Sequence, residues 1–587
     1  MRRSTSVWFV VGLALATGCK QNSGNATKAG SAGSAATPGS AATPGGAAPT
    51  PTAAGGDVQA LPVVTECPKS LGGTEKVART ITKACGPITV TDTLTIDGSL
   101  TLEAGVVLKF QPDTGLVIGY HGAAKLIVKG GDAPDQRVVL TSAGDRAAGV
   151  WAGVTLDDGA DRSQLTGLDI EYAGQGGGAA LVVADAVDVV LTHSSISHAR
   201  DTGIATRGKT SFAQFAGNRF DDIGRAALAV DPAVVGALTA GNTFGKDEFV
   251  EVRGGSLAGD ATWKNPGAPY HVLGTVYTEA NNAPATLTIT DATLVFANDA
   301  ELAVGYHSRG KLRITGPAVL TSLDGKPGTW PGVRIYDGGD AAIDGATISS
   351  GGSADAGAVT MRRGGKLALG QVAFTGNLVG LWVEDQSTLA APKPLTFHDN
   401  ERAVHLSPTA FGALTAANVF GDHDVLEIAG GELRADTSWL TQPGTTVHVL
   451  GDVNVDGGFT LTVAAGGTYQ WKPDSALTVG YHGAGTLKVA GRADAPVAFT
   501  GQSGAAPWNG VHLDTGAHGV ELAHLELADV GGAGGVTATR DAPGKLDHVR
   551  CARCAATVAP ACGAKLETTD VTAGASTPIA IKKPTGC

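Results

Sequence analysis

Residues 116–156 contain the run LVIGYHGAAKLIVKGG, followed after a short gap by VVLTSAG and GVWAGVTL. The same pattern returns at 302–335 as LAVGYHSRGKLRITG, VLTSLDG and TWPGVRI. It returns again at 477–513 as LTVGYHGAGTLKVAG, VAFTGQSG and PWNGVHL. A long motif that recurs in this way indicates a fold built by repetition of one structural unit.

The spacing of the landmarks supports a tandem array. Trp151, Trp330 and Trp508 are 179 and 178 residues apart. A fixed spacing of about 180 residues therefore predicts three copies, the last truncated, because terminal repeats of a stacked array are usually atypical. We expect an N-terminal cap at 57–87 and a Cys-rich C-terminal cap at 547–587, with the three copies between them at 88–263, 264–446 and 447–546.

The composition and the local pattern predict strands. The chain has 85 Gly and two Met in 587 residues, which favours tight turns over helices. Short apolar runs separated by turn residues are typical of strands, and they include Leu100–Leu102, Val107–Phe110, Leu116–Ile118, Leu126–Val128 and Val138–Leu140. Only residues 74–84 resemble a helix.

Tandem copies without linkers between them favour a solenoid over a series of separate sandwich domains. Coils of about 20–25 residues would give roughly eight coils per copy. Stacked coils can also align side chains into a hydrogen-bonded Asn ladder and an internal Phe stack. The candidates stand near turns, at Asn218, Asn242, Asn377, Asn400, Asn418, Phe220, Phe244 and Phe420.

The run GVVLKF at 105–110, VVLTS at 138–142 and GVWAGVTL at 149–156 resemble bacterial surface proteins of the right-handed parallel β-helix type, the pectate-lyase-like superfold. The resemblance covers about 88–580. It implies an all-β solenoid. The superfold hosts lyases, hydrolases, adhesins and proteins without known activity, so the fold alone assigns no chemistry.

The N-terminus predicts export. Residues 1–19 combine a basic start, a short apolar run and Ala16-Thr17-Gly18-Cys19, which resembles a bacterial lipoprotein cleavage site. We expect Cys19 to be lipidated; the alternative is an ordinary signal peptide with a chance Cys. Residues 20–56 have the composition of a disordered Gly/Ala/Ser/Pro tether. The expected location is the bacterial outer membrane or cell surface, by a lipid anchor alone, since no later run of 18 apolar residues occurs.

Six further cysteines lie near the two ends of the predicted solenoid, and in an exported chain their default state is a disulfide. The alternative at the C-terminal end is a four-Cys zinc site, although the spacing is irregular. We predict disulfides and no metal or cofactor; the residues are Cys67, Cys85, Cys551, Cys554, Cys562 and Cys587.

The repeated Tyr-His pairs are the most distinctive candidates for binding. A Tyr ring and a His on a turn can stack on a sugar and hydrogen-bond its hydroxyls. The alternative is structural: the Tyr packs on the coil below and the His caps a turn. The pairs are Tyr120 and His121, Tyr306 and His307, and Tyr481 and His482. The motif tryptophans pose the same choice between a sugar platform and a cover for the core.

Evidence for catalysis is weaker. A glycosidase needs two carboxylates across the sugar bond, and a lyase needs a cation site and a base. The nearest candidates are Asp157, Asp158 and Asp161, but they occupy turns where Asp is expected for backbone reasons.

Two functions follow. The first is a non-catalytic surface protein for binding, adhesion or envelope scaffolding, whose partner is a polysaccharide or another surface protein. The second is a polysaccharide lyase or glycoside hydrolase. The net charge of −12 argues against nucleic acid as a partner.

Overall fold

The computed structural model describes residues 61–238, 241–281, 283–440, 445–502, 504–584 and 586. Nearly all of this region is β-structure, with 3% helix, and its parallel strands stack as a solenoid of about 21 turns. The prediction of an all-β parallel solenoid is confirmed. With about 4.8 Å between neighbouring strands, the solenoid is on the order of 100 Å long. The predicted leader at 1–19, the lipidated Cys19 and the tether at 20–56 lie outside the described residues.

Each turn of the solenoid contributes three short strands, one to each of three sides. In one turn these are Val189–Thr192, Ser195–Ser197 and Thr202–Arg207, and each pairs in parallel with the corresponding strand of the turns before and after it. This stacking builds five sheets. A 20-stranded sheet runs from Ser70–Glu75 to Thr396–His398, and an 18-stranded sheet runs from Gly255–Ser256 to Thr572–Ala573.

The three shorter sheets each occupy one side over part of the length. The seven strands of the first short sheet are Val63–Val64, Ala78–Ile81, Ser99–Glu103, Lys125–Lys129, Gln164–Thr166, Val189–Thr192 and Phe212–Ala216. The six strands of the second short sheet are Ala261–Lys264, Ala285–Thr290, Gly310–Thr315, Gly339–Ile343, Lys366–Leu369 and Thr388–Ala390. The six strands of the third short sheet are Gly431–Glu432, Val453–Val455, Leu477–Val479, Val511–Leu513, Val536–Ala538 and Val558–Pro560.

Alternation of apolar and polar residues explains why these segments are strands. In Ser99–Glu103 the side chains of Leu100 and Leu102 are buried, while Thr101 between them is half-buried and faces outward. Successive strand side chains point to opposite faces, so every strand delivers its apolar set to one continuous core.

The predicted ladders are present in that core. The backbone N–H of Asn218 donates to Asn242 Oδ1 at 3.0 Å, and that of Asn377 donates to Asn400 Oδ1 at 3.1 Å. The rings of Phe220 and Phe244 stack 5.2 Å apart. The Asn contacts satisfy backbone N–H groups at the turns, which are buried and would otherwise lack partners.

The motif tryptophans belong to the core. Trp151, Trp330 and Trp508 are fully buried. The three indoles stack on an aromatic ring of the previous turn, on Phe110 at 4.1 Å, Phe296 at 4.3 Å and Trp471 at 4.9 Å. Burial excludes the sugar-platform role for these three residues.

The expected helix at 74–84 was wrong. Ser70–Glu75 and Ala78–Ile81 are strands there, followed only by a 3₁₀ turn at Lys83–Cys85. Tertiary pairing wins over local propensity because the strands Ile88–Ile96 and Ser99–Glu103 offer them parallel partners.

Two short α-helices instead occur elsewhere, at Pro232–Val235 and Pro408–Phe411. Each begins with a Pro, which is well suited to the first position of a helix. Ser407 caps the second helix by accepting from the Ala410 N–H. The first helix follows the last strand of the first short sheet by one turn, and the second helix follows the last strand of the second short sheet by one turn.

The helices coincide with a shift of the pattern around the solenoid. Val250–Val252 is the last first-copy strand in the column that contains Gly115–Ile118. It pairs with Tyr270–Val272, and Tyr270–Val272 in turn pairs with Thr293–Phe296. Thr293–Phe296 is the second-copy counterpart of Val107–Phe110, which lies one side earlier in the turn. The repeated pattern therefore rotates by one side of the solenoid from one copy to the next.

The second junction repeats this shift. Leu426–Ile428 is the last second-copy strand in the column that contains Glu301–Val304. It pairs with Thr446–Val449, and Thr446–Val449 in turn pairs with Thr468–Trp471. Thr468–Trp471 is the third-copy counterpart of Thr293–Phe296. Each copy therefore continues the stack one third of a turn out of step with the copy before it.

Disulfides lie at both ends. Cys67 is bonded to Cys85 with 5.2 Å between their Cα atoms, and Cys551 is bonded to Cys554 with 6.1 Å. Cys562 is also disulfide-bonded, and Cys587 lies outside the described residues. Bonded in this way, Cys551, Cys554 and Cys562 cannot ligate the zinc of the alternative site. No helix in the described part of the chain is long and apolar enough to span a bilayer.

Candidate functional site

The three Tyr-His pairs lie on turns that leave a strand and enter the next side of the solenoid. Gly precedes each Tyr, and at Gly119 φ is +82°, which favours glycine. A Cβ at Gly119, Gly305 or Gly480 would lie 2.5 Å or less from backbone of the next turn of the solenoid. The backbone packing therefore explains the glycine of the motif.

That packing does not explain the tyrosine. Tyr120, Tyr306 and Tyr481 are 63%, 53% and 61% exposed. Among the Phe, Tyr and Trp residues of the described chain, these three alone are exposed. Each ring meets the neighbouring His edge to face, with centroids 4.8, 4.7 and 4.4 Å apart. The structure thus presents an aromatic surface at the same point of each copy.

A carboxylate from the turn below holds each pair. Asp97 contacts His121 Nδ1 at 2.9 Å. In the second copy, Glu279 accepts from the His307 backbone N–H at 2.7 Å and faces its ring. In the third copy, Asp456 accepts from the His482 backbone N–H at 3.2 Å. The acid thus hydrogen-bonds to the His through its ring in the first copy and through its backbone N–H in the second and third copies.

The sequence analysis missed these acids. They stand 24, 28 and 26 residues before the His that they contact. That separation is close to one turn of the solenoid, so an acid one coil before each Tyr-His pair was the available signal. Because the sequence separation between acid and His differs among the copies, this signal does not stand out in the sequence.

The structure does not bring the three pairs together. The strand before Tyr120 is Gly115–Ile118 in the 20-stranded sheet, the strand before Tyr306 is Glu301–Val304 in the 18-stranded sheet, and the strand before Tyr481 is Leu477–Val479 in the third short sheet. Because the pattern rotates by one side at each junction, the three turns lie on three different sides. They do not form one continuous groove.

The surroundings of the pairs differ. Tyr306 lies 5.8 Å from Tyr277 and 4.8 Å from Tyr336, measured between ring centroids. Beside this cluster, Arg334 Nε lies 3.6 Å from Glu301 Oε2. Burial raises the pKa of Glu301 and lowers that of Arg334, each partly offset by the other's charge.

The predicted catalytic acids lie near the first pair. Asp158 and Asp161 line a surface cleft of about 690 Å³ together with Lys125 and Arg162. Asp161 accepts from the Val187 N–H at 2.9 Å, and Asp157 accepts from the Asp158 N–H at 3.0 Å. Two of the three carboxylates therefore serve turns, and Asp158 and Asp161 share the cleft.

No metal centre is evident in the part of the chain that the structure describes, where no group of three or more His, Cys, Asp or Glu side chains is placed to hold an ion. The comparisons with known proteins found no matching family model, no similar curated protein and no similar solved structure. Function must therefore be argued from the geometry.

Proposed function

We propose that this protein is a non-catalytic, exported binding protein that holds a polysaccharide through its three Tyr-His turns. Lipidation of Cys19 would tether it to the outer membrane or cell surface, and the segment at 20–56 would act as the spacer. Adhesion and envelope scaffolding are the roles that suit such a molecule.

One observation carries the proposal: the described chain exposes three Phe, Tyr or Trp residues, and all three are the motif tyrosines. A tyrosine kept only for packing would be buried, as the motif tryptophans are. An exposed ring held next to a positioned imidazole offers an apolar face and hydrogen-bonding groups together, which is what a sugar ring requires.

The position of the turns supports a bridging role. Three turns on different sides cannot contact one straight polymer chain together. They can contact separate chains, and linked weak sites raise the overall affinity for a polymer network.

The test is glycan-array binding of the whole mature protein against the triple variant Tyr120→Ala, Tyr306→Ala and Tyr481→Ala. We expect the variant to lose binding while keeping the wild-type unfolding temperature. The control is Tyr172→Ala, which removes a half-buried Tyr that stacks on His198 at 4.9 Å. Unchanged binding by the triple variant would remove the turns from the account.

A second candidate, polysaccharide cleavage, is favoured by the cleft that Asp158 and Asp161 share with Lys125 and Arg162. A reducing-end assay on a polysaccharide panel tests it. Product formation that stops in Asp158→Asn with Asp161→Asn would establish the enzyme, whereas no product from wild-type protein on any member supports the binding role.

A further inference from the structure

A cavity of about 520 Å³ lies beside the third Tyr-His turn and is lined in part by Tyr481 and His482. Its floor is an outward-facing row of side chains in register on neighbouring strands: Asn454, Thr478, His512 and Thr537. The volume lies in the range of about 300–1,000 Å³ that is usual for sites of small ligands.

The row is particular to the third copy. The matching positions in the first copy are Thr95, Val117, Thr155 and Val182. In the second copy they are Tyr277, Ala303, Arg334 and Thr360. The framework of the turn is shared, but only the third copy places an amide and an imidazole on this floor.

Several polar groups of the cavity are held in place by one bond and keep another atom for a ligand. His512 Nδ1 contacts the hydroxyl of Thr537, and no hydrogen bond within the described chain engages its Nε2. Asn509 donates to the backbone carbonyl of Asp474 at 2.6 Å, which fixes its amide at the edge of the cavity. Donors and acceptors thus converge around the exposed ring of Tyr481.

The charge of the lining selects among sugars. Asp452, Asp474 and Asp514 line the cavity, and no Lys or Arg does. Burial lowers the pKa of His512, partly offset by Asp452 and Asp514, which favours the neutral imidazole. A carboxylate or phosphate would meet like charges here without a cationic partner, whereas hydroxyl or amino groups would find acceptors.

We infer that this cavity binds a single neutral or amino-substituted sugar ring, which stacks on Tyr481 and hydrogen-bonds with Asn454 and His512. The inference rests on the proposed function, since it names the class of sugar that one of the three turns selects. It gives the molecule one site that discriminates between sugars.

Titration calorimetry of the whole mature protein with glucose, galactose, glucosamine and galacturonate tests this. We expect binding of at least one neutral or amino sugar at one site per chain, and none of galacturonate. The double variant Asn454→Ala and His512→Ala should weaken that binding at least tenfold. The matched control, Thr95→Ala with Thr155→Ala, changes the same two positions of the first copy and should leave the affinity unchanged.

A second variant, Thr478→Tyr, fills the cavity while leaving Asn454 and His512 in place and should abolish binding as well, which guards against misfolding of the double variant. Binding of galacturonate as tight as that of the neutral sugars would overturn the inference, as would equal affinity in all variants. Polymer binding on the array with no monosaccharide bound would refute the cavity alone. If a monosaccharide binds but polymer binding is unchanged in the triple Tyr variant, the proposed function alone would be refuted.

Discussion

At the scale of single residues, the motif separates into parts with different causes. Gly119 and its counterparts are required by backbone packing, and Trp151 and its counterparts by the aromatic stack in the core. The Asn ladder was predictable because an Asn repeated at turns of a stacked fold has few other uses. The acids Asp97, Glu279 and Asp456 were not, because they act on a residue one turn away whose sequence separation varies.

The Asn ladder makes a prediction about stability. Asn377 is fully buried, accepts from the Gly351 N–H at 2.9 Å and donates to the Ile348 carbonyl at 3.0 Å. Asn377→Ala should lower the free energy of unfolding by about 1–3 kcal/mol, because it leaves a buried backbone group without its partner. Denaturant unfolding measures this; Gln214→Ala, at an exposed strand position, is the control. Equal stability of both variants would show that the ladder contributes nothing.

Glu248 makes a prediction about pH. Burial raises the pKa of its carboxyl, and the nearby Asp221, Asp222 and Asp247 raise it further, although the Ile223 N–H donates to it. A carboxyl with a raised pKa in the folded state destabilises the fold once the pH exceeds its unfolded value. Glu248→Gln should therefore be more stable than wild type at pH 7, and the difference should shrink as the pH falls towards 4. Thermal unfolding across this range checks it; a difference independent of pH would contradict the assignment.

At the scale of elements, strands were predictable and helices were not. Alternating apolar residues in runs such as Ser99–Glu103 settle the strand and its buried face. Pro232–Val235 and Pro408–Phe411 are too short for helical periodicity to show, and their signals were only a polar cap followed by Pro. At 74–84 the helical pattern misled because pairing with the strands of the next turn, Ile88–Ile96 and Ser99–Glu103, decides the outcome.

The Cys67–Cys85 disulfide makes a prediction about the first turns. It closes a loop between residues 18 apart, and loops of this size contribute about 3 kcal/mol. Because each turn of a solenoid contacts mainly its neighbours, Cys67→Ser with Cys85→Ser should destabilise the N-terminal end alone. Hydrogen exchange should rise in Ala78–Ile81 and stay unchanged in Lys366–Leu369. Faster exchange throughout would contradict local stabilisation.

At the scale of the whole molecule, the spacing of the motifs predicted repetition but not its rotation. The sequence shows that the Tyr-His pattern recurs; only the pairing of Val250–Val252 with Tyr270–Val272, and of Leu426–Ile428 with Thr446–Val449, shows that it advances by one side each time. Strand pairing across a junction depends on which side of the turn each strand occupies, and no local pattern encodes that. The consequence is a molecule whose three Tyr-His turns lie on different sides and do not share one groove.

The number of oligosaccharides bound per chain tests this account most directly. Equilibrium binding should be measured with a short oligosaccharide chosen from the glycan array, too short to reach from one turn to the next. We predict three bound per wild-type chain, two for each of the single variants Tyr120→Ala, Tyr306→Ala and Tyr481→Ala, and none for the triple variant. One oligosaccharide per wild-type chain, or a number that no Tyr substitution changes, would contradict the claim that each turn is a separate binding site.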